Sequence, residues 1–260
     1  MERRPWPFLS FLTSLALGSA LGLPSTAMAD PIGNPPLEVR QTLENIEAAA
    51  NDRDLDRVMG YYSSDFGSDT GFDYAGLRQT LTTLWQTYRT LTYDIELLSW
   101  DTTGAGVYTV ETRTRVNGVE LRSNRELTLS AEVTSRQRLQ NGQVAYQQVL
   151  SETSRLSSGA NPPQIQIQLP TTLTPGQSFS FDTVVTDPLD GRSLMGAAVD
   201  ERVTATDFFV PRSIALDVLT AGGLYKLGTA PPTADQRWVS AVVVREDGLV
   251  VDTRRVQIQP

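Results

Sequence analysis

Between residues 39 and 88 apolar side chains recur every three or four positions, and from residue 91 onward they recur at every second one. Val39, Leu43, Ile46 and Ala50 share one face of a helix. Asp54 is placed to cap a short second helix carrying Leu55, Val58, Met59 and Tyr62. Asp73 caps a longer third one with Tyr74, Leu77, Leu81, Leu84, Trp85 and Tyr88. The period then changes to two. Leu91, Tyr93, Ile95 and Leu97 alternate, as do Tyr108, Val110, Thr112, Thr114 and Val116 beyond a turn at Gly104-Ala105-Gly106. Asn117-Gly118 reads as a hairpin turn into a strand with Val119, Leu121, Leu127, Leu129, Ala131 and Val133, and Asn141-Gly142 as the turn into Gln143 to Leu156. The pattern predicts three helices followed by a four-stranded antiparallel meander, an α+β arrangement in which the helices cover one sheet face.

Ser157 to Pro163 (SSGANPP) is small, polar and proline-terminated, as a linker would be. The expected division is therefore residues 30–157, a linker at 158–163, and residues 164–260. The last part carries only short β-type runs: Ile165-Leu169, Phe179-Val185, Leu194-Val199, Ile214-Leu219, Leu224-Leu227, Trp238-Val244 and Leu249-Ile258. Turn signals separate them, among them Thr174-Pro175-Gly176, Asp187-Pro188 and Asp247-Gly248. That spacing predicts an all-β, immunoglobulin-like sandwich without a Cys pair.

The N-terminus adds a compartment. Arg3 and Arg4 precede an apolar run from Phe8 to Leu23, and Ala27-Met28-Ala29 stands before Asp30, the layout of a secretory signal cleaved after residue 29. The run is shorter than the roughly 20 residues of a membrane span, so the exported form, residues 30–260, is expected to be periplasmic or secreted, with no stable membrane span. Zero counts narrow the chemistry further. Without His or Cys the chain has no Ser-His-Asp triad, no thiol nucleophile, no disulfide and none of the usual zinc or copper ligands, so no metal and no cofactor are expected. With 22 Lys and Arg against 30 Asp and Glu, the formal charge of -8 opposes nucleic-acid binding.

The stretch ANDRDLDRVMGYYSSDF, residues 50–66, resembles the second-helix signature of nuclear transport factor 2-like domains through Asp54-Leu55-Asp56, Val58-Met59, Tyr62 and Asp65-Phe66. The resemblance covers about residues 37–156. It implies a cone, with three helices over a curved four-stranded antiparallel sheet and a pocket between them. Members of that family include ketosteroid isomerases, SnoaL-like polyketide cyclases, dehydratases and non-catalytic binding or dimerising modules, so both enzyme and binder follow from it. In the isomerase branch an Asp acts as base while a Tyr and a protonated Asp stabilise the enolate. Here the polar candidates are Tyr62, Asp65, Asp69, Asp73, Tyr88, Tyr93 and Glu111. Asp65 with Tyr62 forms the candidate catalytic pair. Tyr62, Phe66, Trp85, Tyr88, Trp100 and Tyr108 are the candidate pocket-lining residues, with core packing the simpler role for most.

Other motifs dissolve on inspection. Asp52, Asp54 and Asp56 begin like a calcium loop, but Arg57 and Ser63 occupy the positions needing Gly and Glu. Arg113, Arg115, Arg122 and Arg125 alternate with Glu111, Glu120 and Glu126, which suits cross-strand pairing on a solvated face or a homodimer formed through the first sheet. Trp238 and Phe208-Phe209 are possible surface anchors, with a core place expected for Trp238 amid Val239, Ala241 and Val243. Two functions remain: an exported non-catalytic binding or assembly protein with a small apolar ligand, or a SnoaL/ketosteroid isomerase-like enzyme acting on an apolar small molecule.

Overall fold

The computed structural model describes residues 33–122, 125–189, 191–204, 214–220 and 222–260. The expected secretory signal, residues 1–29, and Phe208-Phe209 lie outside these residues. Helices α1 (Leu37–Asn51), α2 (Leu55–Gly60) and α3 (Tyr74–Thr87) form where the three-to-four periodicity places them. The Asp54 carboxylate accepts from the Arg57 N–H at 3.0 Å, and Asp73 accepts from the Gly76 N–H at 2.8 Å, so each cap satisfies a donor left over at a helix start. The other end of α3 is closed by Arg53, whose guanidinium donates to the carbonyls of Trp85, Tyr88 and Arg89, each at 3.0 Å.

The strands are β1 (Tyr62–Ser68), β2 (Thr90–Gly104), β3 (Val107–Arg122), β4 (Arg125–Gln140), β5 (Gln143–Gly159), β6 (Ile165–Gln168), β7 (Thr172–Leu173), β8 (Ser178–Val185), β9 (Met195–Arg202), β10 (Asp217–Val218), β11 (Gly223–Thr229), β12 (Asp235–Arg245) and β13 (Gly248–Ile258). The expected α+β cone followed by a separate immunoglobulin-like sandwich is not what they build. The described residues are mostly strand, and one ten-stranded sheet runs through both halves in the order β10-β9-β12-β13-β5-β4-β3-β2, with β1 beside β5 and β7 beside β13.

The length of β5 explains the fusion. Its 17 residues span roughly 55 Å, against roughly 22 Å for the 15-residue α1. One side of β5 pairs with β4. On the other side β1 runs parallel to its first part, from Tyr62↔Val144 to Ser68↔Gln147. The remainder would be an open edge. There β13 pairs antiparallel from Arg254↔Thr153 to Gly248↔Gly159, so Ser157, Ser158 and Gly159 are sheet, not linker. The helices cover one face of the sheet at the β2 to β5 end. On the other face, β6, β8 and β11 form a three-stranded sheet whose Phe181 and Leu224 pack on Val239, Ala241, Val243 and Val250 of β12 and β13.

Two local readings also change. Tyr62 and Asp65, read as the end of α2, stand in β1: the Ser-rich stretch after Tyr61 has no helical apolar period and finds its hydrogen bonds on β5. Asn117-Gly118 lies inside β3, which continues to the Arg122↔Arg125 pair. Neither residue has the positive φ that a tight hairpin turn demands. Gly118 is instead a close-approach position, since a Cβ there would sit 2.6 Å from Leu91 Cδ2 and 2.9 Å from the Thr90 carbonyl. By contrast, Asn141 (φ 51°) and Gly142 (φ 72°) form the turn between β4 and β5. Trp238 is buried and belongs to the interior.

Part of the arginine and glutamate alternation becomes an ion-pair ladder on the face of β2 to β4 opposite the helices, whereas Glu120 is buried and pairs with Arg122 at 2.6 Å. Arg113 meets Glu96 at 2.9 Å, Arg115 meets Asp94 and Glu96 at 2.9 Å each, and Arg136 meets Glu111 at 2.7 Å. The outer edge of β2 is tied to α1: Asn51 exchanges hydrogen bonds with the Tyr93 backbone at 2.8 and 2.9 Å, and Glu47 accepts from the Ile95 N–H at 2.7 Å.

Candidate functional site

Beneath the helices lies a cavity of about 80 Å³. Its roof is apolar, made by Leu43, Ile46 and Ala50 of α1, Val58 of α2, and Leu77 and Leu81 of α3. Val116 and Val133 continue that surface on the sheet, while Thr114, Ser135, Gln137 and Gln147 give the floor a polar end. Tyr62 and Tyr93 complete the wall. On β4 every second residue from Leu127 to Leu139 is buried, so Ser135 and Gln137 occupy inward positions in an otherwise apolar series.

The polar end is a directed chain. Gln137 Nε2 donates to Gln147 Oε1 at 3.0 Å, and Gln147 Nε2 donates to Ser135 Oγ at 2.9 Å. Among the described residues Gln137 Oε1 has no hydrogen-bond partner, although Gln137 is only 8% exposed. Thr112 Oγ1, on the residue directly opposite Ser135 in the β3–β4 pairing, is likewise buried and unpaired.

The six aromatic candidates scatter. Tyr62 lines the cavity, and its ring meets Phe66 edge to face with centroids 5.1 Å apart. Phe66 and Tyr88 are buried in the surrounding core. Trp85 donates to Tyr93 Oη at 3.0 Å, Trp100 reaches the Gly33 carbonyl at 3.4 Å, and Tyr108 packs half-buried at the edge of the same core. Burial pushes the hydroxyls of Tyr62 and Tyr93 up to about 12, so both stay neutral at physiological pH. Asp65 is not brought to Tyr62: three positions apart on one strand, they point to opposite faces, and Asp65 is exposed.

The carboxyl group with an altered acidity in this region is Asp69, outside the cavity lining. Burial raises it to about 7 against the opposing pull of Gln236, Arg255 and the Val149 N–H. Gln236 Nε2 donates to one oxygen at 2.9 Å and the Val149 N–H to the other at 3.3 Å. Because this value lies above that of the unfolded chain, the folded chain holds the extra proton between about pH 4 and pH 7. Asp69 therefore favours folding most below that window and progressively less as pH rises through it. Between pH 5 and pH 8 the loss amounts to about 2–3 kcal/mol. Melting temperatures at the two pH values should show this fall, and Asp69→Asn should flatten it; an unchanged slope in the variant would remove the assignment.

A wider cleft of about 500 Å³ opens where the ends of β4 and β5 meet the β12–β13 hairpin, with Arg125, Glu126 and Arg245 in its wall. Its buried cation is already engaged: Arg245 pairs with Asp187, with Asp247 at 2.6 Å and with the Asn161 carbonyl at 2.9 Å. That arrangement holds the hairpin and keeps Arg245 itself from meeting a ligand.

The family described as "Domain of unknown function (DUF8623)" matches residues 160–259. No curated protein matches the chain. Among solved structures, a scytalone dehydratase-like protein of Novosphingobium aromaticivorans DSM 12444 is similar at 8% identity and a TM-score of 0.36, covering 43% of this chain and 80% of that one. TsrD from Streptomyces laurentii is similar at 13% identity and a TM-score of 0.32, covering 44% of this chain and 88% of its own. Bd1075 of Bdellovibrio bacteriovorus is similar at 13% identity and a TM-score of 0.31, with 43% of this chain and 40% of that chain covered. At these identities and scores the likeness carries no inference about activity.

Proposed function

We propose that the chain is an exported, non-catalytic binding protein whose cavity beneath the helices holds a small uncharged molecule. The observation that carries this reading is the character of the lining. Among the described residues its titratable groups are Tyr62 and Tyr93, both neutral at physiological pH, with no carboxylate, Lys or Arg. Proton abstraction of the isomerase or cyclase kind needs a base within hydrogen-bond reach of the substrate and an acidity matched to the working pH. Asp69 meets the second condition but stands outside the lining, with both oxygens occupied. Asp65 stands on the solvent side of β1.

Export rests on the N-terminal signal pattern. Assembly as a homodimer through the β2 to β4 face is the accompanying proposal. A second copy would exchange the Arg113 and Arg115 pairs for intermolecular ones, and light scattering in low and high salt reads this directly: a dimer that dissociates with salt supports it, and a monomer in both ends it.

The binding reading is tested by incubating the protein with a panel of small phenols and cyclic alcohols, measuring affinity by calorimetry and composition by chromatography. Binding with no chemical change is expected. Asp65→Asn should leave affinity within about twofold and stability within about 0.5 kcal/mol, as for an exposed residue without structural bonds. Turnover of a bound compound that disappears in Asp65→Asn would restore the enzymatic reading.

A further inference from the structure

We infer that the cavity selects a ligand presenting one hydrogen-bond donor, a hydroxyl or ring N–H, on a compact apolar body, and that Gln137 Oε1 is the atom that receives it. This rests on the binding reading above and adds the chemistry of the occupant.

The direction of the amide chain makes the selection. Ser135 Oγ accepts from Gln147, and Gln147 Oε1 accepts from Gln137, so the chain runs toward Ser135 and leaves the Gln137 carbonyl oxygen at its head. That oxygen is buried and unpaired on a residue that lines the cavity. A buried acceptor left alone forfeits its hydration, so anything that donates to it on entering recovers that loss. A cation would enter a lining with no counter-charge, and an anion would face this acceptor; both are disfavoured. The apolar roof of Leu43, Ile46, Leu77 and Leu81 takes the hydrocarbon part.

Size adds a bound. The cavity holds about 80 Å³, below the ~150 Å³ of an engineered cavity that accepts benzene and the ~300–1,000 Å³ of pockets for drug-sized ligands. The enclosed part therefore receives a short alcohol or the donor-bearing end of a longer molecule.

The test compares matched probes small enough for the enclosed part: propan-2-ol against propanone, titrated into the purified protein and followed by NMR shifts of Gln137 and Gln147 side-chain amides. The alcohol is expected to bind at least tenfold more tightly than the ketone, because a site built around a hydrogen bond rejects the analogue that cannot make it. Gln137→Met, close in volume and apolar, should remove the discrimination while leaving both probes bound; its circular-dichroism melt confirms that it folds. Equal affinities in the unmodified protein, or preference for the ketone, would overturn the donor assignment while the binding reading survives. Failure of both probes and of the wider panel would overturn both, whereas a crystal structure in which a water on Gln137 persists at saturating alcohol would overturn the donor assignment alone.

Discussion

Replacing Arg255 with methionine should destabilise the protein by about 3–5 kcal/mol, the cost of stripping a buried charge of its partner. The Arg255 side chain is fully buried, and so, at 1% exposure, is that of Glu152. Arg255 Nε and Nη2 donate to Glu152 Oε2 at 2.9 and 2.6 Å, Nη1 donates to Gln236 Oε1 at 2.6 Å, and the guanidinium lies 5.6 Å from the Trp238 ring centroid. Trp238 Nε1 adds a further bond to the same glutamate oxygen at 3.1 Å. The chain continues from Gln236 to Asp69, so one connected polar network joins β5 and the turn after β1 to β12 and β13. Without Arg255, Glu152 keeps only the indole as a donor among these bonds. Urea unfolding measures the loss, and Glu152→Gln in the same background should recover part of it, since it removes the stranded charge. A single-variant loss below about 1 kcal/mol would mean that the network contributes no more than a surface pair.

Gly159→Ala should cost about 3 kcal/mol. Gly159 has φ 104°, where L side chains are strained, and a Cβ there would lie 2.4 Å from the Asp247 carbonyl oxygen and 2.5 Å from Gly248 Cα. Both obstacles are backbone, so the hairpin between β12 and β13 must move away from β5. This position is the last rung of the β5–β13 pairing. Hydrogen exchange should show the amides of Val250 to Arg254 losing protection while those of α1 keep theirs. Full protection in a stable variant would contradict the splice of the two halves into one sheet.

Elements set by local periodicity were legible in the sequence. The apolar series of α1 and α3, the caps at Asp54 and Asp73 and the Asn141-Gly142 turn are all short-range signals. Most strands of the second half also follow from runs bounded by turn residues. Strand partners did not follow. Pairing Thr153–Gly159 with Gly248–Arg254 joins segments far apart in the chain, and nothing in the spacing of apolar residues says which edge a strand will fill. Asn117-Gly118 misled because the same dipeptide suits a turn or a strand position pressed by a neighbour; the Leu91 side chain decides.

The candidate site was legible only in part. Tyr62 lines the cavity, but Asp65, its candidate catalytic partner, stands exposed on β1. Ser135, Gln137 and Gln147 escaped notice because a polar residue in an alternating strand ordinarily faces water. The signal was nevertheless present: Leu127, Leu129, Ala131, Val133 and Leu139 share one phase, and Ser135 and Gln137 fall in that phase. Polar side chains in the buried phase of a strand need partners, and where one lacks a partner a ligand can supply it.

The most direct measurement of the central claim is native mass spectrometry of the protein purified from the cells that make it. The account predicts one small uncharged organic molecule per chain, released intact on gentle activation and carrying a hydroxyl or N–H. A chain with no retained molecule that also stays empty in the presence of every donor-bearing probe, or one that releases chemically altered product, would contradict it.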